Sequence, residues 1–110
     1  MSEGVEVGSG NVFADLGIPN PDEHQIKADL ALAIKRRISD KGLTQAQAAT
    51  LMDETQPNVS AIVRGRLRAF SLERLMHHLN ALGFDVEMMI RETPAQQRGR
   101  MVVRTVAPSQ

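Results

Sequence analysis

The chain has 110 residues, 42% of them apolar but only 3% aromatic, with no Cys and with 13 basic against 13 acidic side chains, for a formal net charge of zero. That size predicts one domain with tails, its core filled by Leu, Ile, Val, Ala and Met. The missing Cys excludes a disulfide framework, a thiolate nucleophile and a cysteine-based metal site, and no apolar run approaches the roughly 18 residues of a membrane span, nor does a basic-then-apolar leader open the chain.

The charge is unevenly spread. Residues 1–25 hold Glu3, Glu6, Asp15, Asp22 and Glu23 with no Lys or Arg, a balance of −5, so the rest of the chain carries +5. Residues 1–12 are Gly/Ser-rich and acidic, the composition of a mobile terminus. Phe13, Leu16 and Ile18 then bring large apolar side chains that an unfolded tail has no use for. Two placements suit them: laid over the domain surface, or docked on a partner. The arm is taken as residues 1–19.

Asn20-Pro21-Asp22-Glu23 reads as a helix start, with Asn20 as cap, Pro21 in the first helical position and Glu23 where a capping-box acid belongs. Ile26, Leu30, Ile34 and Ile38, helped by Ala33, form the buried stripe of a helix running to about Lys41 and stopped by Gly42. Thr44 caps a second helix that opens at Gln45 and turns Ala48, Ala49 and Leu51 inward. Asp53-Glu54-Thr55 breaks the apolar pattern. Thr55 caps a third helix, whose first turn tolerates Pro57. Val59, Ile62 and Val63 point inward on it, while Gln56, Asn58, Ser60, Ala61 and Arg64 occupy its solvent face. These short or amide side chains followed by a guanidinium suit base edges and phosphates. The stretch from Gln56 to Arg68 carries Arg64, Arg66 and Arg68 and no acid. A local positive strip, not the global charge, is what phosphates respond to across a Debye length of about 8 Å.

Ser71 caps a helix over 71–82 with Leu72, Leu75, Met76, Leu79 and Leu82 in helical period, ended by Gly83. His77 and His78 are expected at its surface or edge. After this the pattern favours β structure. Asp85–Arg91 is one strand candidate, stopped by Pro94, and Arg100–Val106 is a second. An unpaired strand needs a partner, either a hairpin within the chain or the same strand of a second copy. The second is favoured, with Val86, Met88 and Ile90 as the dimer strand. Residues 20–83 are thus the helical domain and 84–110 the C-terminal strand or strands and tail.

The middle of the chain, Leu43 to Gly65, resembles the Xre and lambda-repressor type of helix-turn-helix, through Gln45, Ala49, Val59, Ile62 and the Arg64-Gly65 end. Asp53 stands where that family usually has Gly; Asp tolerates the left-handed conformation better than most residues. Taken alone, the pattern also fits an ordinary helical hairpin in a small bundle. The resemblance implies a mainly α, lambda-repressor-like bundle that binds a palindromic duplex as a homodimer. Gln56, Asn58, Ser60, Ala61 and Arg64 then read bases, and Thr44, Gln45, Arg66 and Arg68 hold phosphates. It also implies that Gln45 braces Gln56.

Beyond the motif, the acidic NVFADLGIPNPDE lead-in and the closing SLERLMHHLNALGFDVEM resemble small Xre/HigA-like antitoxins. Such proteins repress their own operon and bind a RelE/HigB-like ribonuclease toxin. The resemblance implies a partner of that kind, met by Phe13, Leu16 and Ile18 or by the C-terminal tail, and a cytoplasmic, nucleoid-associated protein. Two other readings stay open: a phage-type repressor without a toxin, and a protein-interaction module that keeps the fold without reading DNA. No metalloprotease, nucleophile-elbow or phosphate-loop motif occurs, so no catalytic residue, metal or cofactor is expected.

Overall fold

The computed structural model describes residues 21–106. The proposed cap Asn20 and the apolar trio Phe13, Leu16 and Ile18 lie outside the described residues. Among the described residues four helices follow one another: α1 (Pro21–Asp40), α2 (Gln45–Met52), α3 (Gln56–Val63) and α4 (Leu72–Ala81). Their starts are set by short-range chemistry. Pro21 opens α1, with Asp22 and Glu23 in its first turn, where carboxylates meet the positive end of the helix dipole. Thr44 Oγ1 accepts from the Gln47 amide at 3.0 Å while Gln47 Oε1 accepts from the Thr44 amide at 2.8 Å, a reciprocal capping box. Thr55 and Ser71 cap α3 and α4 by one bond each, accepting from the amides of Asn58 and Arg74.

The apolar periods decide the packing. α1 buries Ile26, Leu30, Ala33, Ile34 and Ile38, as its spacing predicts, together with Ala31. It lies against α4 and α3, while α2 packs on α3 and α4. Ile34, Val59, Ile62, Leu75 and Leu82 form the fully enclosed centre. Leu67 and Phe70, in the loop between α3 and α4, close one side of it.

Three expectations are corrected. Leu51 is half exposed, and Met52 takes the inward position on α2 beside Ala48 and Ala49. At about 100° per residue, Met52 falls between those two alanines around the helix, whereas Leu51 falls outside the arc. His78 is buried, not at the surface. It follows Leu75 by three residues and so lies within the stripe that carries Leu79 and Leu82 inward.

The third correction concerns the tail. Among the described residues there is no strand, so neither Asp85–Arg91 nor Arg100–Val106 forms a ladder. Gly83, at φ +93, lets the chain leave α4 in a conformation that side chains disfavour, and the Phe84 amide closes that turn on the Leu79 carbonyl at 2.9 Å. The Arg37 guanidinium sits 3.9 Å above the Phe84 ring. From there the chain runs out and reverses near 93–97, where Thr93 Oγ1 donates to the Gln97 carbonyl at 3.2 Å. Val103 returns to the core, but Val86, Met88, Met89, Ile90, Met101, Val102 and Val106 are exposed. A strand exists only as part of a ladder, and no backbone hydrogen bond joins the two legs of this reversal among the described residues.

Candidate nucleic-acid interface

α2, the turn and α3 form two short helices at an angle, locked by local backbone geometry. Asp53 adopts φ 55 and ψ 46, the left-handed conformation the turn demands. The Glu54 amide then reaches back to the Ala49 carbonyl at 2.9 Å, so the chain turns sharply and Thr55 is set to cap α3. The small Ala48 and Ala49, both buried, let the helices approach where a larger side chain would hold them apart.

The outer face of α3 gathers some of the expected residues and not others. Gln56, Ser60 and Arg64 succeed one another at four-residue spacing and form one row along the helix. Gln56 and Arg64 are exposed and Ser60 is half-buried. Ala61 flanks the row but also packs on the core. Asn58 stands apart. At about 100° per residue it lies well round from Ser60, next to the buried Ile62, and its Nδ2 donates to Glu54 Oε1 at 2.8 Å. Gln45 and Gln56 each open a helix, and no hydrogen bond joins them among the described residues. Thr44 is exposed, its Oγ1 accepting the capping bond.

Beyond α3, the Arg66 amide bonds the Ala61 carbonyl at 2.8 Å. Leu67 and Phe70 plug into the core, which leaves Arg66 and Arg68 projecting from the loop as exposed side chains. Arg64, Arg66 and Arg68 make no ion pair among the described residues. They stand beside the row on α3.

Behind this surface lies a polar cluster that the sequence reading missed. The Glu54 side chain is 4% exposed. Arg74 grips it with two bonds, Nε to Oε2 at 2.7 Å and Nη2 to Oε1 at 2.8 Å. His78 Nε2 stands 2.7 Å from Oε2. Burial pushes the Glu54 carboxyl upward, but the bonds from Arg74, Asn58 and His78 and the Arg74 charge outweigh it and bring its pKa down to about 2. An ionised carboxylate only accepts, so His78 must carry its proton on Nε2. Arg74 also lies 4.6 Å from the Phe70 ring centroid. The charge of Glu54 is thus enclosed and matched by Arg74, while Asp53, the other acid of the turn, stays exposed. A signal for His78 was available in its phase with Leu75 and Leu79; its partner Glu54, 24 residues away, carried no local signal.

Among the described residues no group of His, Asp and Glu is arranged to hold a metal ion, and no helix is long and apolar enough to cross a membrane.

Comparison with known proteins agrees with this geometry. The profile of a helix-turn-helix domain family matches residues 12–91. A solved chain described as an XRE family transcriptional regulator shares 40% identity and superposes with a TM-score of 0.73, over 81% of this chain and all of that one. No curated protein matches.

Proposed function

The chain belongs to the Xre-type helix-turn-helix family of DNA-binding transcriptional regulators, and from that premise we propose that it is a sequence-specific repressor acting on a palindromic operator as a homodimer. The observation that carries this reading is the row of exposed Gln56, half-buried Ser60 and exposed Arg64, flanked by Arg66 and Arg68, which have no ion pair among the described residues. In the major groove Gln56 presents a bidentate amide to adenine, Ser60 a hydroxyl to a neighbouring base, the Ala61 methyl a contact for thymine, and Arg64 a fork for guanine or phosphate. Arg66 and Arg68, with Thr44 and Gln45 at the start of α2, hold the backbone and set the register without reading sequence. Asn58, tied to Glu54, supports the helix in this scheme instead of reading a base. Residues 20–83 are the DNA-binding unit.

The homodimer is supported by the tail at 84–110. Val86, Met88 and Ile90 are exposed on a segment that pairs with no strand among the described residues, and a second copy would supply both a cover and a strand partner. Two recognition helices then address half-sites centred about 34 Å apart, or a multiple of that. The antitoxin role, with autoregulation and a RelE/HigB-like toxin as partner, is supported by the likeness of the acidic lead-in and of the 71–88 stretch to that family. The acidic arm at 1–19, with Phe13, Leu16 and Ile18, has the charge to meet a basic ribonuclease. Pull-down of such a toxin should be lost on deleting residues 1–19; retained binding removes the arm as the contact.

Fluorescence anisotropy of a labelled duplex from upstream of the gene tests the DNA reading. Wild type should prefer it to a scrambled duplex. Gln56→Ala should lose roughly 1–3 kcal/mol at that site alone. Arg66→Ala should weaken both duplexes together and flatten the salt dependence by about one unit. Equal, weak binding to both duplexes by all proteins would overturn the repressor reading and favour an interaction module.

A further inference from the structure

We propose that Glu54 is a positioning residue for DNA recognition, a buried fork that fixes the angle of α3 against α4 and so determines which base edges the row on α3 meets. This rests on the DNA-reading role proposed above. Glu54 precedes the cap Thr55 by one residue and takes four hydrogen bonds on its two oxygens. Arg74 and His78 come from α4, and Asn58 comes from α3 itself. The carboxylate therefore joins the turn, the recognition helix and the last helix of the bundle at one point. The bidentate arginine allows only one orientation of its partner plane.

The hydrophobic anchorage of α3 differs in kind. The helix spans eight residues, buries Val59 and Ile62 and packs Ala61 and Val63 partly against the core, contacts that hold it in place but are not directional. A buried ion pair is a poor source of stability, because desolvating the charges offsets most of their attraction, and apolar substitutes often serve as well. What it supplies is direction. The outward arginines reach phosphates through long, flexible side chains, which tolerate a small rotation of α3. Gln56 and Ser60 are shorter, and base contacts made edge to edge do not tolerate it.

Removing the fork should therefore erode discrimination between sequences and leave non-specific affinity alone. Glu54→Gln, Asn58→Ala and the double variant are compared on the upstream duplex and its scrambled counterpart. Asn58→Ala keeps Glu54 with Arg74 and His78, so the fold survives it. Each single variant should lose discrimination by about tenfold while binding the scrambled duplex as wild type does, with the same salt slope. The double variant should lose no more than the worse single, because residues of one network are not additive. Additive losses, or unchanged discrimination in Glu54→Gln, would overturn the proposal. If wild type itself discriminates nothing, the repressor reading fails and hydrogen exchange in the free protein decides. Amides of Val59–Arg64 should then exchange about tenfold faster in both single variants, with those of Leu75–Leu82 unmoved. No change, or a uniform rise, would sink it.

Discussion

The helical bundle over residues 21–83 and the segment over 84–106 contain similar apolar side chains that meet opposite fates. In the bundle Ile34, Ile62, Leu75 and Leu82 are sealed; in the segment Met88, Met89 and Ile90 stand in solvent. The difference lies in where each finds its backbone partners. A helix pairs its amides within a few residues, so its apolar stripe is free to seek the core as soon as the helix forms. An extended segment must borrow its partners from another strand, and no described part of this chain lends them. Apolar content alone does not bury a residue; on a helix whose backbone is already paired, the stripe in phase with the core is buried. The bundle should accordingly fold as a unit by itself, and the segment should respond to whatever joins it.

The sharpest way to break this distinction is within the bundle. Met52 is 3% exposed and its neighbour Leu51 50%. Met52→Ala should cost about 2–5 kcal/mol of unfolding free energy in denaturant titrations. Leu51→Ala should stay within about 0.5 kcal/mol. Equal costs would show that the inward phase of α2 is not fixed.

That phase marks the limit of what was legible in the sequence. Helix starts were, because Thr44, Thr55 and Ser71 accept from amides three residues away and Pro21 has its φ fixed by its own ring. So was the left-handed Asp53, demanded by the turn itself. The phase of α2 was not, since its eight residues, two Gln with Ala, Leu, Met and Thr, admit two neighbouring stripes, and only contact with α3 and α4 chooses between them. The row of Gln56, Ser60 and Arg64 followed from helical spacing. The same spacing sets Asn58 apart from it, two residues from Ser60 and four from Ile62; its partner was not legible, because Glu54 is held by Arg74 and His78, side chains 20 and 24 residues further on. The tail forms no ladder among the described residues for the converse reason: its β-favouring residues state a preference that only a partner can realise.

A smaller effect separates the two regions by pH. The folded Glu54 carboxyl has a pKa of about 2, below its usual 4.5. A carboxyl depressed in this way binds its proton more readily in the unfolded chain. Its contribution is therefore fully present above pH 4.5 and is lost as pH falls toward 2. Thermal melts of wild type should weaken through that window, and Glu54→Gln should show a shallower decline. Parallel declines would mean that other carboxylates carry the acid response and that the fork contributes nothing specific to the bundle.

The smallest expected effect on the bundle comes from the segment. Met88 and Ile90 are 76% and 88% exposed, so replacing both by Asp removes no core contact and should change unfolding free energy by no more than about 0.5 kcal/mol at protein concentrations too low for association. The same double substitution places charges where a second copy would pair. By sedimentation it should convert a dimer to a monomer, and by anisotropy it should weaken operator binding through loss of the second recognition helix while each half-site contact stays intact. Because association stabilises by mass action, the wild-type melting temperature should rise with protein concentration and that of the variant should not. A variant that melts lower even when dilute would mean that these side chains belong to the bundle after all. A variant that still dimerises would place the interface elsewhere on the helices, and the exposed apolar residues of the segment would then have to serve a different protein.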